Sequence, residues 1–320
     1  MNILITGGAG FIGSHLTERL LREGNSIITI IDDFNDYYDP KTKYRNIASF
    51  PGEGVCIETI DIRDTEEVER VIANNKPDLI IHLAARAGVR PSLKDPVLYT
   101  SVNVDGTIGI LELARKYGIK KFIFASSSSV YGNTDSVPFR EDNHNIQPIS
   151  PYGVSKLAGE YYCRVYSKVY GLDIIALRFF TVYGPRQRPD MAIHKFTRLI
   201  YEGKDIEMYG DGSTKRDYTF ITDILDGISG SINRLLQVDG FGFEPYNLGE
   251  SQTVELICLV ELIEKALGKK ARVKRLPEQT GDVRLTYSDI SKARQNLCYN
   301  PQVKIEDGIP EFVKWFKANL

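Results

Sequence analysis

Residues 7–13 read Gly7-Gly8-Ala9-Gly10-Phe11-Ile12-Gly13, a G-x-x-G-x-x-G run between the β-branched Ile3-Leu4-Ile5-Thr6 and a helical pattern over 14–23. Glycine at 7 and 10 permits a tight turn and the close approach of a pyrophosphate, while Gly13 lets the helix lie against the strand. The helix N-terminus, whose first N–H groups have no intrahelical partner, then faces an anion, with Phe11 and Ile12 beside it. Such a unit belongs in a parallel sheet with helical crossovers. Further short apolar runs at 26–31, 54–60, 78–83, 121–125 and 173–178 read as buried strands, and 65–75, 102–117 and 152–170 read as helices between them. The expected fold class is α/β, a doubly wound, Rossmann-like parallel sheet.

Past residue 179 the alternation breaks into turn-rich segments and isolated helices at 192–202, 222–236 and 254–267. Residues 1–178 are therefore expected to form the dinucleotide domain, and 179–216 with 250–320 a smaller α/β substrate domain. The stretch 217–249 is expected to thread back onto the large sheet through 218–220 and 246–248. The basic run 269–275 follows a helix end, where cations oppose the dipole and face water.

The second strand ends in Ile30-Ile31-Asp32-Asp33, about twenty residues past the glycine loop, where a carboxylate can accept hydrogen bonds from both adenosine ribose hydroxyls. Asp32 would repel a 2′-phosphate, and no arginine stands at 33–34, so NAD is expected rather than NADP. Asp61 and Ile62 could flank the adenine, and Leu83, Ala84 and Ala85 offer small groups under the cofactor. Core packing accounts for these positions equally well.

Tyr152-Gly153-Val154-Ser155-Lys156 puts a tyrosine and a lysine one helical turn apart on one face. A nearby ammonium stabilises phenolate and draws tyrosine below its free pKa of about 10, so the pair can serve as base and then acid. Ordinary amphipathic helices carry the same spacing, and the setting is what gives it meaning. Ser126-Ser127-Ser128-Ser129 follows the strand at 121–125 at its carboxyl end, where open α/β sheets bind ligands, and forms a row of hydroxyls suited to a sugar.

Composition narrows the remaining classes. A net charge of -2 disfavours a general polyanion-binding role. The four cysteines and four histidines are scattered without C-x-x-C or H-E-x-x-H spacing, so no metal site is expected. The chain enters its first strand almost at once and holds no apolar run near the ~18 residues of a membrane span, which makes the cytoplasm the expected location.

In their order these motifs resemble the extended short-chain dehydrogenase/reductase superfamily across essentially the whole chain. The glycine loop, Asp32, His82-Leu83-Ala84-Ala85, the serines before Val130-Tyr131-Gly132, and Ser150-Pro151-Tyr152 through Lys156 carry that resemblance. Tyr209-Gly210-Asp211-Gly212, Arg216-Asp217-Tyr218 and Gly281-Asp282 resemble its nucleotide-sugar members. The resemblance implies that Ser127, three residues before Val130, assists Tyr152. Sugar 4,6-dehydratases carry an acid pair where Ser128 and Ser129 stand, and UDP-glucuronate decarboxylases a glutamate in that segment. The absence of both favours 4-epimerisation. The stretch from Phe179 to Met191 is most similar to UDP-glucuronate 4-epimerases, UDP-galactose 4-epimerases usually having asparagine at the position of Thr181. Thr181, Ser128 and Ser129 are thus expected to hold a C6 carboxylate, Arg188 and Arg216 the diphosphate, and Asp282 the uridine ribose. Gln279 replaces a familiar arginine, and Arg186 fits a solvent-facing loop cation as well as a contact. The resemblance also implies a homodimer through the helices around 100–117 and 152–170. The competing readings are a UDP-glucose or UDP-N-acetylglucosamine 4-epimerase and a non-catalytic NAD(H)-sensing protein on the same fold, the latter opposed by the intact Tyr152, Lys156 and Ser127.

Overall fold

The computed structural model describes residues 1–24, 26–134, 136–277 and 283–320. Its strands are β1 Asn2–Thr6, β2 Ile27–Asp32, β3 Val55–Thr59, β4 Leu79–His82, β5 Lys121–Ser127, β6 Asp173–Phe179, β7 Thr181–Tyr183, β8 Asp205–Tyr209, β9 Lys215–Phe220, β10 Phe243–Leu248, β11 Thr253–Glu255 and β12 Arg272–Leu276. Seven of them make one sheet in the order β10-β6-β5-β4-β1-β2-β3. Every pairing within it is parallel.

A parallel sheet covered on both faces needs apolar strands, and the central β1, β2 and β4 are largely so, while the edge strand β3 is mostly exposed. Successive side chains point to opposite faces, so Ile3 and Ile5 of β1, Ile28 and Ile30 of β2, and Leu79 and Ile81 of β4 enter one core, while Leu4, Ile31 and Ile80 enter the other. The first core is closed by Leu16 and Leu20 of the helix Phe11–Glu23 and by Ile224 and Ile228 of Ile221–Gln237. Val68 of Thr65–Asn75, Ile110 and Leu111 of Gly106–Lys116, and Cys163 and Tyr166 of Pro151–Tyr170 close the second. Each such Leu or Ile contributes roughly 1.5–3 kcal/mol on burial, which makes this double layer the main source of stability.

Three expectations change in detail. Residues 246–248 do lie in the large sheet, as part of β10 beside β6, but 218–220 do not: β9 pairs parallel with β7 and antiparallel with β11 in a separate three-stranded sheet. The helix expected to start at 102 begins at Pro96, and Ser101–Asp105 winds as a single π-turn before Gly106–Lys116. Part of the basic run is a strand, β12, paired parallel with β8, its cations exposed and Arg272 paired with Asp205 at 2.9 Å. Among the described residues no helix is long and apolar enough to cross a membrane.

From β1 the chain passes to β2 on one side, while β4 lies on the other. The loops leaving the carboxyl ends of β1 and β4 therefore diverge and open a crevice, the place where sheets of this kind bind ligands.

Candidate active site

One cavity fills that crevice, lined by Gly7, Gly10, Phe11, Ile12 and Gly13 from the first loop, Asp32 after β2, Asp61 and Ile62 after β3, and Leu83, Ala84 and Ala85 after β4. The glycines are required by contact. A Cβ on Gly7, whose φ is +73°, would lie 2.8 Å from the Ala84 nitrogen, and one on Gly13 would lie 2.3 Å from the Gly7 carbonyl oxygen. Gly10 caps the helix Phe11–Glu23 without a side chain, so no capping oxygen competes with a ligand for the first-turn N–H groups. This cradle, with a carboxylate at the end of the next strand, fits NAD.

Asp32 does not stand alone at the end of its strand. It accepts hydrogen bonds from the Ala9 and Phe34 nitrogens at 3.2 and 3.0 Å, and from Lys43 Nζ at 2.7 Å. Lys43 comes from the helix Pro40–Ile47, which no sequence pattern announced, and it also lies 3.4 Å from Asp33. The absence of arginine at 33–34 therefore does not describe the charge around Asp32, because a cation arrives from eleven residues downstream. Asp61 is similarly paired, its carboxyl held below the usual range chiefly by its hydrogen bonds to Arg63.

The reacting groups meet at the end of β5. Ser127 closes that strand, and its hydroxyl accepts from the Ser129 nitrogen at 3.1 Å, starting the short turn that presents Ser128 and Ser129 to the cavity. The helix Pro151–Tyr170 begins where it does because Ser150 accepts from the Gly153 nitrogen at 3.1 Å and Pro151 needs no N–H partner. Gly153 lets its first turn press on the serine turn, for a Cβ there would sit 2.5 Å from the Ser129 oxygen. Tyr152 and Lys156 thus reach the same cavity wall.

Their electrostatics differ from the simple pair. Burial pushes the Tyr152 hydroxyl up, opposed by a hydrogen-bonding contact with Ser127 and by the positive charge of Arg188. Lys156 donates to the Ala125 carbonyl at 2.7 Å, and burial lowers it to about 7. The cation acting on the tyrosine in this state is therefore Arg188.

Phe179, Phe180, Thr181, Val182, Arg188 and Met191 complete the wall. Arg188 clasps Asp190 through two bonds of 3.0 and 2.8 Å and lies over the Tyr37 ring, 5.4 Å from its centroid. Arg186 turns away, with φ +63° and an ion pair to Glu18 at 3.0 Å. Arg216, on β9, is not among the lining residues, so the structure does not bring it to this cavity as expected. Asp282 and Gln279 lie outside the described residues.

Sequence reading missed the polar frame behind the site. Arg178 and Glu160 form a buried pair at 2.7 Å, Glu160 accepts from Ser126, and Arg178 donates to Tyr131 at 2.9 Å. Asn103, on the π-turn, donates to Ser155 at 2.9 Å. No local spacing signals these residues, since each partner lies on a different element. Tyr37 and Tyr99 were missed too; both donate to the Ala87 carbonyl at 2.7 Å, and Tyr99 meets the Tyr152 ring edge-on.

Comparison with known proteins places this geometry. The sequence model of the family described as GDP-mannose 4,6 dehydratase matches residues 4–312. The UDP-glucuronate 4-epimerase of Thermodesulfobacterium geofontis is 40% identical over 319 residues, covering 99% of this chain and 96% of that protein. The crystal structure of UDP-glucuronic acid 4-epimerase from Bacillus cereus, in complex with UDP-glucuronic acid and NAD, superposes with a TM-score of 0.94 at 37% identity over 100% of both chains. That of Thermus thermophilus UDP-glucose 4-epimerase, in complex with NAD, is also similar over 100% of both chains, with a TM-score of 0.89 and 31% identity.

Proposed function

The chain belongs to the GDP-mannose 4,6-dehydratase family, a branch of the extended short-chain dehydrogenase/reductases, and within it we propose that the protein is an NAD-dependent UDP-glucuronate 4-epimerase, an isomerase that interconverts UDP-glucuronate and UDP-galacturonate. One observation carries this reading: Ser127, Tyr152 and Lys156 share a cavity with the dinucleotide cradle, while the positions beside Ser127 hold the hydroxyls of Ser128 and Ser129 rather than carboxylates. Elimination of water needs an acid and a base there. Hydroxyls leave the site able to oxidise and reduce the sugar without dehydrating it. Full-length likeness to the glucuronate enzymes, at higher identity than to the glucose enzyme, supports the choice of sugar.

Tyr152, as phenolate, takes the proton of the sugar 4-hydroxyl, and Ser127 shares the hydrogen bond to that oxygen. NAD, when bound, supplies the acceptor for the C4 hydride and returns it. Tyr152 gives its proton back once the 4-keto sugar has presented its other face, so each cycle is redox-neutral. Arg188 favours the phenolate and can meet an anionic group of the substrate; Lys156 would hold the nicotinamide ribose. The 4-keto form of glucuronate is a β-keto acid prone to lose carbon dioxide. Ser128, Ser129 and Thr181 are our candidates for orienting its carboxylate against that loss, with Asp282 for the uridine ribose.

We also infer a homodimer formed by the helix Pro151–Tyr170 and the helical run around 100–117. Val154, Tyr161, Val165 and Val169 are 53, 59, 51 and 63% exposed, an apolar stripe on that helix, and Val97 is 77% exposed nearby. Four unpaired cysteines, three of them exposed, fit the reducing cytoplasm.

Incubation of the purified protein with UDP-glucuronate is expected to give UDP-galacturonate without pentose, and parallel incubations with UDP-glucose and UDP-N-acetylglucosamine slower turnover or none. Accumulation of UDP-xylose or a 4-keto-pentose, or faster turnover of a neutral sugar, would contradict this assignment.

A further inference from the structure

Four cations line the cavity: Lys43, Arg86, Lys156 and Arg188. Three have protein partners, Lys43 on Asp32, Lys156 on the Ala125 carbonyl and Arg188 on Asp190. The guanidinium of Arg86 makes no hydrogen bond or ion pair among the described residues; it lies over the ring of Tyr37, whose centroid is 5.8 Å from its Cζ, and acts on Asp61 only through its charge. Its backbone is nonetheless held firmly. Asn103 accepts from the Arg86 nitrogen at 2.8 Å and donates to its carbonyl at 2.9 Å, and the same amide bonds Ser155, between Tyr152 and Lys156. Asn103 is buried, on the π-turn that interrupts the helical run. A fixed backbone carrying an unpaired guanidinium into a ligand cavity is the arrangement of a binding residue.

The ligand must be anionic, and two diphosphates could enter this cavity. The position of Arg86 favours the cofactor's. It follows β4 directly after the Leu83-Ala84-Ala85 segment that faces Gly7, and its charge is felt by Asp61 after β3, on the adenosine half of the crevice. The helix N-terminus offers only about half a unit of positive charge to a dinucleotide's diphosphate. Lys43 and Lys156 are engaged elsewhere. A planar guanidinium matches phosphate oxygens with two donors at once.

We propose that Arg86 binds the diphosphate of the dinucleotide cofactor, supplying the countercharge that the glycine loop lacks. The proposal rests on the reading that this cavity takes NAD.

Full-length protein cleared of nucleotide is titrated calorimetrically with ADP-ribose, which carries the diphosphate of NAD, and separately with UDP. Arg86→Met is expected to weaken ADP-ribose about ten- to hundredfold, the effect of losing a hydrogen bond to a charged group, and to leave UDP affinity unchanged. Arg86→Lys should recover part of the loss. Unaltered ADP-ribose affinity in Arg86→Met overturns the assignment, as does a loss confined to UDP. If Arg86→Met loses both ligands, Arg86→Lys decides: partial recovery of ADP-ribose supports the assignment and no recovery overturns it. Failure of the unmodified protein to bind ADP-ribose would remove the cofactor reading itself, and the assignment with it.

Discussion

Tyr152 and Lys156 stand on one helical face, yet the cavity treats them differently. The tyrosine keeps a polar neighbour in Ser127 and a positive one in Arg188, whereas the lysine is buried with a single carbonyl partner and is drawn down to about 7. A lysine whose folded pKa lies below its unfolded value of 10.5 destabilises the fold wherever the unfolded chain carries a charge that the cavity disfavours. Above about pH 10.5 both states are neutral and there is no cost; the cost grows as pH falls and is complete below about 7. Ligand-free Lys156→Met is therefore expected to melt several degrees above the unmodified protein at pH 7, with the difference shrinking toward pH 10.5, while turnover falls about a hundredfold or more. Melting curves across that range check it, and a difference independent of pH would contradict it. The pairing of Lys43 with Asp32 teaches a related lesson. Asp32 was legible because a strand end and a glycine loop fix its place; Lys43 was not, because only the path of the intervening chain brings it back.

Two elements position the chemistry, the strand β5 and the helix Pro151–Tyr170, and both were readable from sequence to within a residue or two. Apolar runs and a serine-proline start mark their ends, and these are local signals. The π-turn at Ser101–Asp105 was not readable, since its cause is tertiary: it places Asn103 between the Arg86 backbone and Ser155. The outer face of Pro151–Tyr170 leads to a prediction. If its apolar stripe is the contact between two copies of the chain, Val165→Glu puts a charge into that contact and should convert a dimer of about twice 36 kDa into a monomer, as read by light scattering after gel filtration. A mass near that of one chain for the unmodified protein, or an unchanged dimer in the variant, contradicts this interface.

In the whole molecule the doubly wound half was legible because each strand and crossover repeats one pattern, and a parallel sheet leaves few ways to arrange them. The C-terminal half was less so. Its short strands β7, β8, β9, β11 and β12 pair across long separations in two small sheets, and no period marks such pairings. The assembled cavity brings the glycine loop, the serine turn, the Tyr-Lys helix and Thr181 together from four stretches of chain, while Arg216 stays outside. That assembly implies a reaction in which the hydrogen leaving C4 never escapes to water. The most direct test is conversion of UDP-glucuronate carrying deuterium at C4, in ordinary water, with the product followed by nuclear magnetic resonance and mass spectrometry. Full retention of deuterium at C4 of UDP-galacturonate is expected; replacement by solvent hydrogen, or loss of carbon dioxide in place of inversion, would contradict a closed, redox-neutral inversion at that carbon.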